Sequence, residues 1–147
     1  MTTQPRVAVS ILNWNGLNLT KQCVRNLLAS TVLPDTIMVL DNGSSANEAV
    51  YLQKNFTAPV TVLRSATNLG FAGGNNYVIN RLREMGSYDY IVLLNQDALV
   101  QPDCLEKIVN YLEAQPTVAV AGPLVLNTNG TIQSCGADIH RWSGKII

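Results

Sequence analysis

The chain holds 147 residues, enough for one domain with a substantial core and too few for two comfortable ones. Ten Lys plus Arg match ten Asp plus Glu, and that zero balance argues against nucleic acid or an anionic lipid surface as a partner. A hydrophobic share of 47% beside a charged share of 14% excludes a disordered chain.

In chain order, the apolar run at 7–12 reads as a first strand. A helix follows, with Leu19, Cys23, Leu27 and Leu28 on one face and Asn18 as its cap. A second strand is expected at 37–40, then a helix opened by a capping box of Ser45 and Glu48. The third strand, 60–63, leads to a helix marked by Val78, Leu82 and Met85. The fourth, 91–94, leads to a helix marked by Leu105, Ile108, Val109 and Leu112, with Pro102 near its first turn and Pro116 past its end. A fifth strand is expected at 118–121, and "LVLNTNGTIQSCG" then predicts a hairpin around an Asn-Gly turn. The chain closes on "HRWSGKII" with no further helix, an end that reads as cut.

Near-continuous apolar strands alternating with helices predict an α/β sandwich around a mostly parallel sheet covered on both faces. The start lacks a basic segment followed by a long apolar run, so no signal peptide is expected, and no stretch has the length of a membrane span. Cys23, Cys104 and Cys135 are widely spaced, which suits reduced thiols and a cytoplasmic location better than a disulfide framework.

Parallel sheets bind ligands at the carboxyl ends of their strands, so the residues just after each run carry the chemistry. "NWNG" ends the first strand, where Trp14 either stacks on a flat base or half-buries in the core. "DNGSS" ends the second, where Asp41 either accepts from the imide N–H of a pyrimidine or holds its own turn. After the third comes "NLGFAGGNN", whose glycines at a helix start suit an anion such as a diphosphate or simply form a turn. It is neither a Walker loop nor a GxGxxG fingerprint. "NQDA" ends the fourth, and Asp97 is a hard oxygen ligand for Mg2+ or Mn2+, which commonly take one or two carboxylates with phosphate and water. His140, the one histidine, completes no catalytic triad.

This order of motifs resembles the nucleotide-binding half of family 2 glycosyltransferases, inverting enzymes of GT-A fold, over most of the chain from Val7 to about Gly136. The resemblance implies that Trp14 and Asn15 end the first strand at the nucleotide and that Asp41 binds its base. It implies an N-x-G-x-x-x-G-x-N helix opening in Asn68, Gly70, Gly74 and Asn76, and a DXD-type metal motif in Asn95, Gln96 and Asp97, followed by Pro102 and Asp103. The DXD-type motif keeps only its last acid, and Asn75 stands where some members carry an Arg. "NLGFAGGNN" and "LLNQDA" look most like rhamnosyltransferase-like members that build bacterial cell-surface polysaccharides.

On that resemblance, residues 1–147 form a nucleotide-sugar-binding portion, with the acceptor half and the catalytic base expected beyond residue 147. The implied donor is a dTDP- or UDP-sugar and the acceptor a glycan or lipid-linked sugar, with Mg2+ or Mn2+ as cofactor. The complete protein is expected in the cytoplasm or at the inner face of the plasma membrane. Apolar surface near "VAVAGPLVL" would favour self-association. The rival readings are a donor-binding module without catalysis, a nucleotidyltransferase, which "NWNGLNLTK" fits poorly, and a dehydrogenase-type fold, which lacks its first-loop glycines.

Overall fold

The computed structural model describes residues 4–136 and divides into two compact units, Met1–Leu105 and Glu106–Ile147. In the first, β1 (Val7–Asn13), β2 (Thr36–Asn42), β3 (Val60–Ser65) and β4 (Tyr90–Asn95) form one parallel sheet in the order β3-β2-β1-β4. The connecting helices are α1 (Leu17–Leu28), α2 (Glu48–Asn55) and α3 (Gly70–Met85). The expected α/β architecture with a parallel sheet is the observed one.

Side-chain alternation along the strands divides the core between the two faces. Val9, Ile11, Ile37 and Val39 pack with Cys23, Val24 and Leu27 of α1 and Leu52 of α2. Ala8, Met38 and Leu40 face the other way, against Val78 and Leu82 of α3. All seven residues of β2 are buried, because the strand has a neighbour on each side and helices over both faces. β4 lies at the sheet edge, and its residues alternate between half-buried and exposed.

Several local expectations are corrected. Asn18 lies inside α1, whose cap position is Gly16 without a side-chain bond, and Leu19 is exposed while Thr20 and Val24 take the buried face. Ser45 and Glu48 form no capping box. α2 starts at Glu48 after Asn47, and both side chains reach the loop after β1 instead. Met85 is exposed at the end of α3.

α4 (Cys104–Ala114) crosses from the first unit into the second. In the second unit, β5 (Val125–Leu126) and β6 (Ile132–Ser134) form the expected antiparallel hairpin, closed by Asn127 N–H to Thr131 O at 2.8 Å with Gly130 at φ +82. The strand expected at 118–121 does not form. Val120 is 87% exposed, and Gly122 and Pro123 interrupt the run before it meets a pairing partner. Among the described residues no helix is long and apolar enough to cross a membrane. His140 and Trp142 lie outside the described residues.

Candidate functional site

The carboxyl ends of all four parallel strands lie at one edge of the sheet, where Asn13 is in register with Asp41, Asp41 with Arg64, and Leu12 with Asn95. The first element there is the turn Trp14-Asn15-Gly16. Its three N–H groups donate to side chains from other loops: Trp14 to Gln96 Oε1 at 2.9 Å, Asn15 to Ser44 Oγ at 2.9 Å and Gly16 to Glu48 Oε2 at 3.1 Å. Asn15 stands at φ +50, a left-handed conformation that Asn tolerates, and its Oδ1 accepts from the N–H and hydroxyl of Ser45. The indole of Trp14 is not half-buried core; the residue is 53% exposed.

A buried polar cluster underlies this turn. Asn13 donates to Glu48 Oε2 at 2.8 Å and accepts from the Thr20 hydroxyl at 2.7 Å, while Ser44 and Asp41 lie within 3.4 Å of its amide nitrogen. Glu48 and Ser44 thus join the site, and sequence reasoning missed both roles. Its one signal was the Ser and Glu density after the second strand, read there as a cap.

Asp41 is wholly buried. Its Oδ1 accepts from Ser44 N–H at 3.2 Å, its Oδ2 from Ala49 N–H at 3.1 Å, and Arg64 Nε lies 3.8 Å from Oδ2. A carboxylate turned inward with both oxygens engaged does not fit the expected direct contact with a base. It holds the turn after β2 and the start of α2.

The loop before α3 is likewise tied to β2. Asn42 Oδ1 accepts from Leu69 N–H at 3.0 Å, and its amide donates to Asn68 Oδ1 and Gly70 O, each at 3.2 Å. Asn68 Oδ1 also accepts from Gly70 N–H at 2.7 Å. Gly70 has φ +71 and open space around it, whereas a Cβ on buried Gly74 would come within 2.9 Å of Leu12 Cδ1. The absence of a side chain at Gly74 therefore lets α3 approach the sheet. Asn76 is exposed on α3, while Asn75 is buried and accepts from the Ser10 hydroxyl at 2.8 Å.

At the end of β4, Asn95, Gln96 and Asp97 diverge. Asn95 O accepts from Ala98 N–H at 3.1 Å to close a turn, Gln96 reaches back to Trp14, and Asp97 is exposed. Burial, with the charge of Asp97 adding to it, pushes the nearby Cys23 thiol up to about 12. Among the described residues no group of three His, Cys, Asp or Glu could hold a metal ion. One exposed carboxylate fits Mg2+ or Mn2+ only where diphosphate and water complete the coordination.

The family described as glycosyl transferase family 2 matches residues 8–134. The chain is 24% identical over 122 residues to the amylovoran biosynthesis glycosyltransferase AmsE of Erwinia amylovora, covering 82% of this chain and 44% of that protein. It is 28% identical over 82 residues to an uncharacterized glycosyltransferase of Haemophilus influenzae, covering 56% and 26%. The mannosyltransferase PcManGT of Pyrobaculum calidifontis, solved with GDP-Man and Mn2+, superposes with a TM-score of 0.68 at 24% identity over 80% of this chain and 34% of its own. TarS 1-349 of S. aureus, solved with UDP-GlcNAc, gives 0.61 at 14% identity over 76% and 32%. The fold is that of GT-A structures, and the chain spans less than half the length of these relatives.

Proposed function

The chain belongs to glycosyl transferase family 2, and from that premise we propose that it binds the nucleotide-sugar donor for transfer of a sugar to an acceptor hydroxyl. The observation that carries this reading is the pairing of an exposed aromatic, Trp14, with an exposed carboxylate, Asp97, at one edge of a parallel sheet. Trp14 offers a face to the base, within a turn that Asn15 shapes. The start of α3, with Asn68, Gly70 and Asn76, receives the diphosphate at the first-turn N–H groups beyond Gly70, whose own N–H is held by Asn68. Asp97 holds Mg2+ or Mn2+, and a bound ion neutralises charge developing on the leaving diphosphate. Asp41 supports the base side from beneath.

In the finer form of this proposal, the donor is a dTDP- or UDP-sugar, rhamnose among the candidates, transferred with inversion to a cell-surface polysaccharide or lipid-linked acceptor on the cytoplasmic side. The role of AmsE in amylovoran biosynthesis supports a polysaccharide product. The GDP-Man and UDP-GlcNAc complexes of the structural neighbours support a nucleotide-sugar donor and leave the base to experiment. No described residue is assigned as the base that deprotonates the acceptor.

A second reading is donor binding without turnover. Calorimetry with UDP, dTDP and GDP, each with and without Mn2+, tests the common core of both. The expected result is one preferred nucleotide whose binding strengthens with metal. Equal indifference to all three overturns the donor assignment. Transfer from the matching nucleotide sugar to a lipid-linked acceptor then separates the two readings.

A further inference from the structure

Gln96 directly precedes Asp97, and its side chain reaches back to the Trp14 main chain. Its Oε1 accepts from Trp14 N–H at 2.9 Å, and its Nε2 donates to Trp14 O at 3.4 Å. One carboxamide therefore holds both polar groups of the Trp14 main chain across a sequence separation of 82 residues. The Thr20 hydroxyl also lies 3.4 Å from Oε1, but its proton goes to Asn13 Oδ1 at 2.7 Å. Gly16 makes room for the arrangement. Its φ of −137 is open to any residue, but a Cβ there would lie 2.6 Å from Gln96 Oε1 and 2.7 Å from Cδ and Nε2. A side chain at this position would push the carboxamide off the Trp14 main chain.

We infer that Gln96 is a positioning residue for donor binding: its clamp on the Trp14 main chain fixes the indole as a face for the base and ties that face to the loop carrying Asp97. The inference rests on the donor-binding reading above. Among the described residues none hydrogen-bonds the exposed indole, so the clamp acts on it through the backbone that carries it. A fixed aromatic face binds a base with less ordering on association than a mobile one.

The test uses Trp142→Phe as parent, which leaves Trp14 as the one tryptophan reporter. Gln96→Met keeps side-chain length and removes both hydrogen bonds. Gly16→Ala leaves Gln96 in the sequence and displaces its carboxamide. Each is expected to lower Trp14 fluorescence anisotropy in the free protein. Each should also weaken the parent's preferred nucleotide, among UDP, dTDP and GDP with Mn2+, by about tenfold, the loss of roughly one well-made hydrogen bond. Because both act through one contact, the double variant should be no worse than either single one. A parent that binds none of the three nucleotides overturns the donor reading, which the parent alone decides. A binding parent whose two variants match it in anisotropy and affinity, or whose losses add in the double variant, overturns the role of Gln96.

Discussion

Asp41 and Asp97 both follow apolar parallel strands, and in sequence they look alike. In the structure they are opposites. Asp41 is the next-to-last residue of β2, a strand with neighbours on both sides, and its carboxylate is sealed beneath Ser44, Ala49 and Arg64. Asp97 follows β4 at the sheet edge and is exposed. In this sheet a strand-end carboxylate is sealed or exposed according to where its strand sits. A central strand surrounds the group with backbone donors, and an edge strand leaves it to solvent.

The contrast breaks most visibly through Asp41→Ala. That substitution leaves Ser44 N–H and Ala49 N–H without their acceptor and removes the ion-pair partner of Arg64. The expected cost is about 2–3 kcal/mol of folding stability, in the range for a hydrogen bond to a charged group plus stranded buried donors, read as a lower urea midpoint. An unchanged midpoint together with lost nucleotide binding would return Asp41 to direct contact with the base.

Asp97→Asn should do the reverse. An exposed residue away from the core changes stability by no more than about 0.5 kcal/mol. The Mn2+-dependent share of nucleotide binding should disappear, about tenfold in affinity for one lost charged ligand contact. Full metal dependence retained by this variant would make Asp97 a turn residue like its counterpart.

The smallest expected effect sharpens the comparison from the inner side of β4. Cys23 is buried, donates to Asn95 O at 3.5 Å, and has its thiol pushed up to about 12 from an ordinary 9.0, by burial first and by Asp97 second. The folded state therefore keeps a proton that the unfolded chain releases. Stability is undiminished below pH 9 and is lost as pH rises toward 12, with a slope of at most about 1.4 kcal/mol per pH unit. Urea midpoints between pH 8 and 10.5 should fall more steeply for the parent than for Cys23→Ala. Parallel slopes would show that the thiol ionises alike in both states.

Much of this architecture was legible in the residues. The apolar runs at 7–12, 37–40, 60–63 and 91–94 became β1 to β4, because an unbroken apolar run has few options other than a strand covered on both faces. The run at 118–121 obeyed the same pattern and formed no strand, since a strand also needs a partner and a composition pattern does not supply one. Helix starts were the least legible. Asn18 and Ser45 have the chemistry of caps, but the donors at those helix starts met side chains from other loops. At the site, Trp14, Asp41, Gln96 and Asp97 were all visible in sequence, while the clamp of Gln96 on Trp14 and the reach of Glu48 and Ser44 to the end of β1 and its turn were not, because those contacts join residues 29 to 82 apart along the chain.

Local order determined the alternation of strand and helix, the parallel sheet, and the placing of polar residues at one sheet edge, all of which follow from side-chain period and connection geometry. Only the tertiary structure decided which polar groups reach solvent. Burial of a strand-end carboxylate depends on which strands flank it, and the order β3-β2-β1-β4 is set by pairing between segments distant in sequence. That order places Asp41 inside and Asp97 outside, and it brings Gln96 to the back of Trp14.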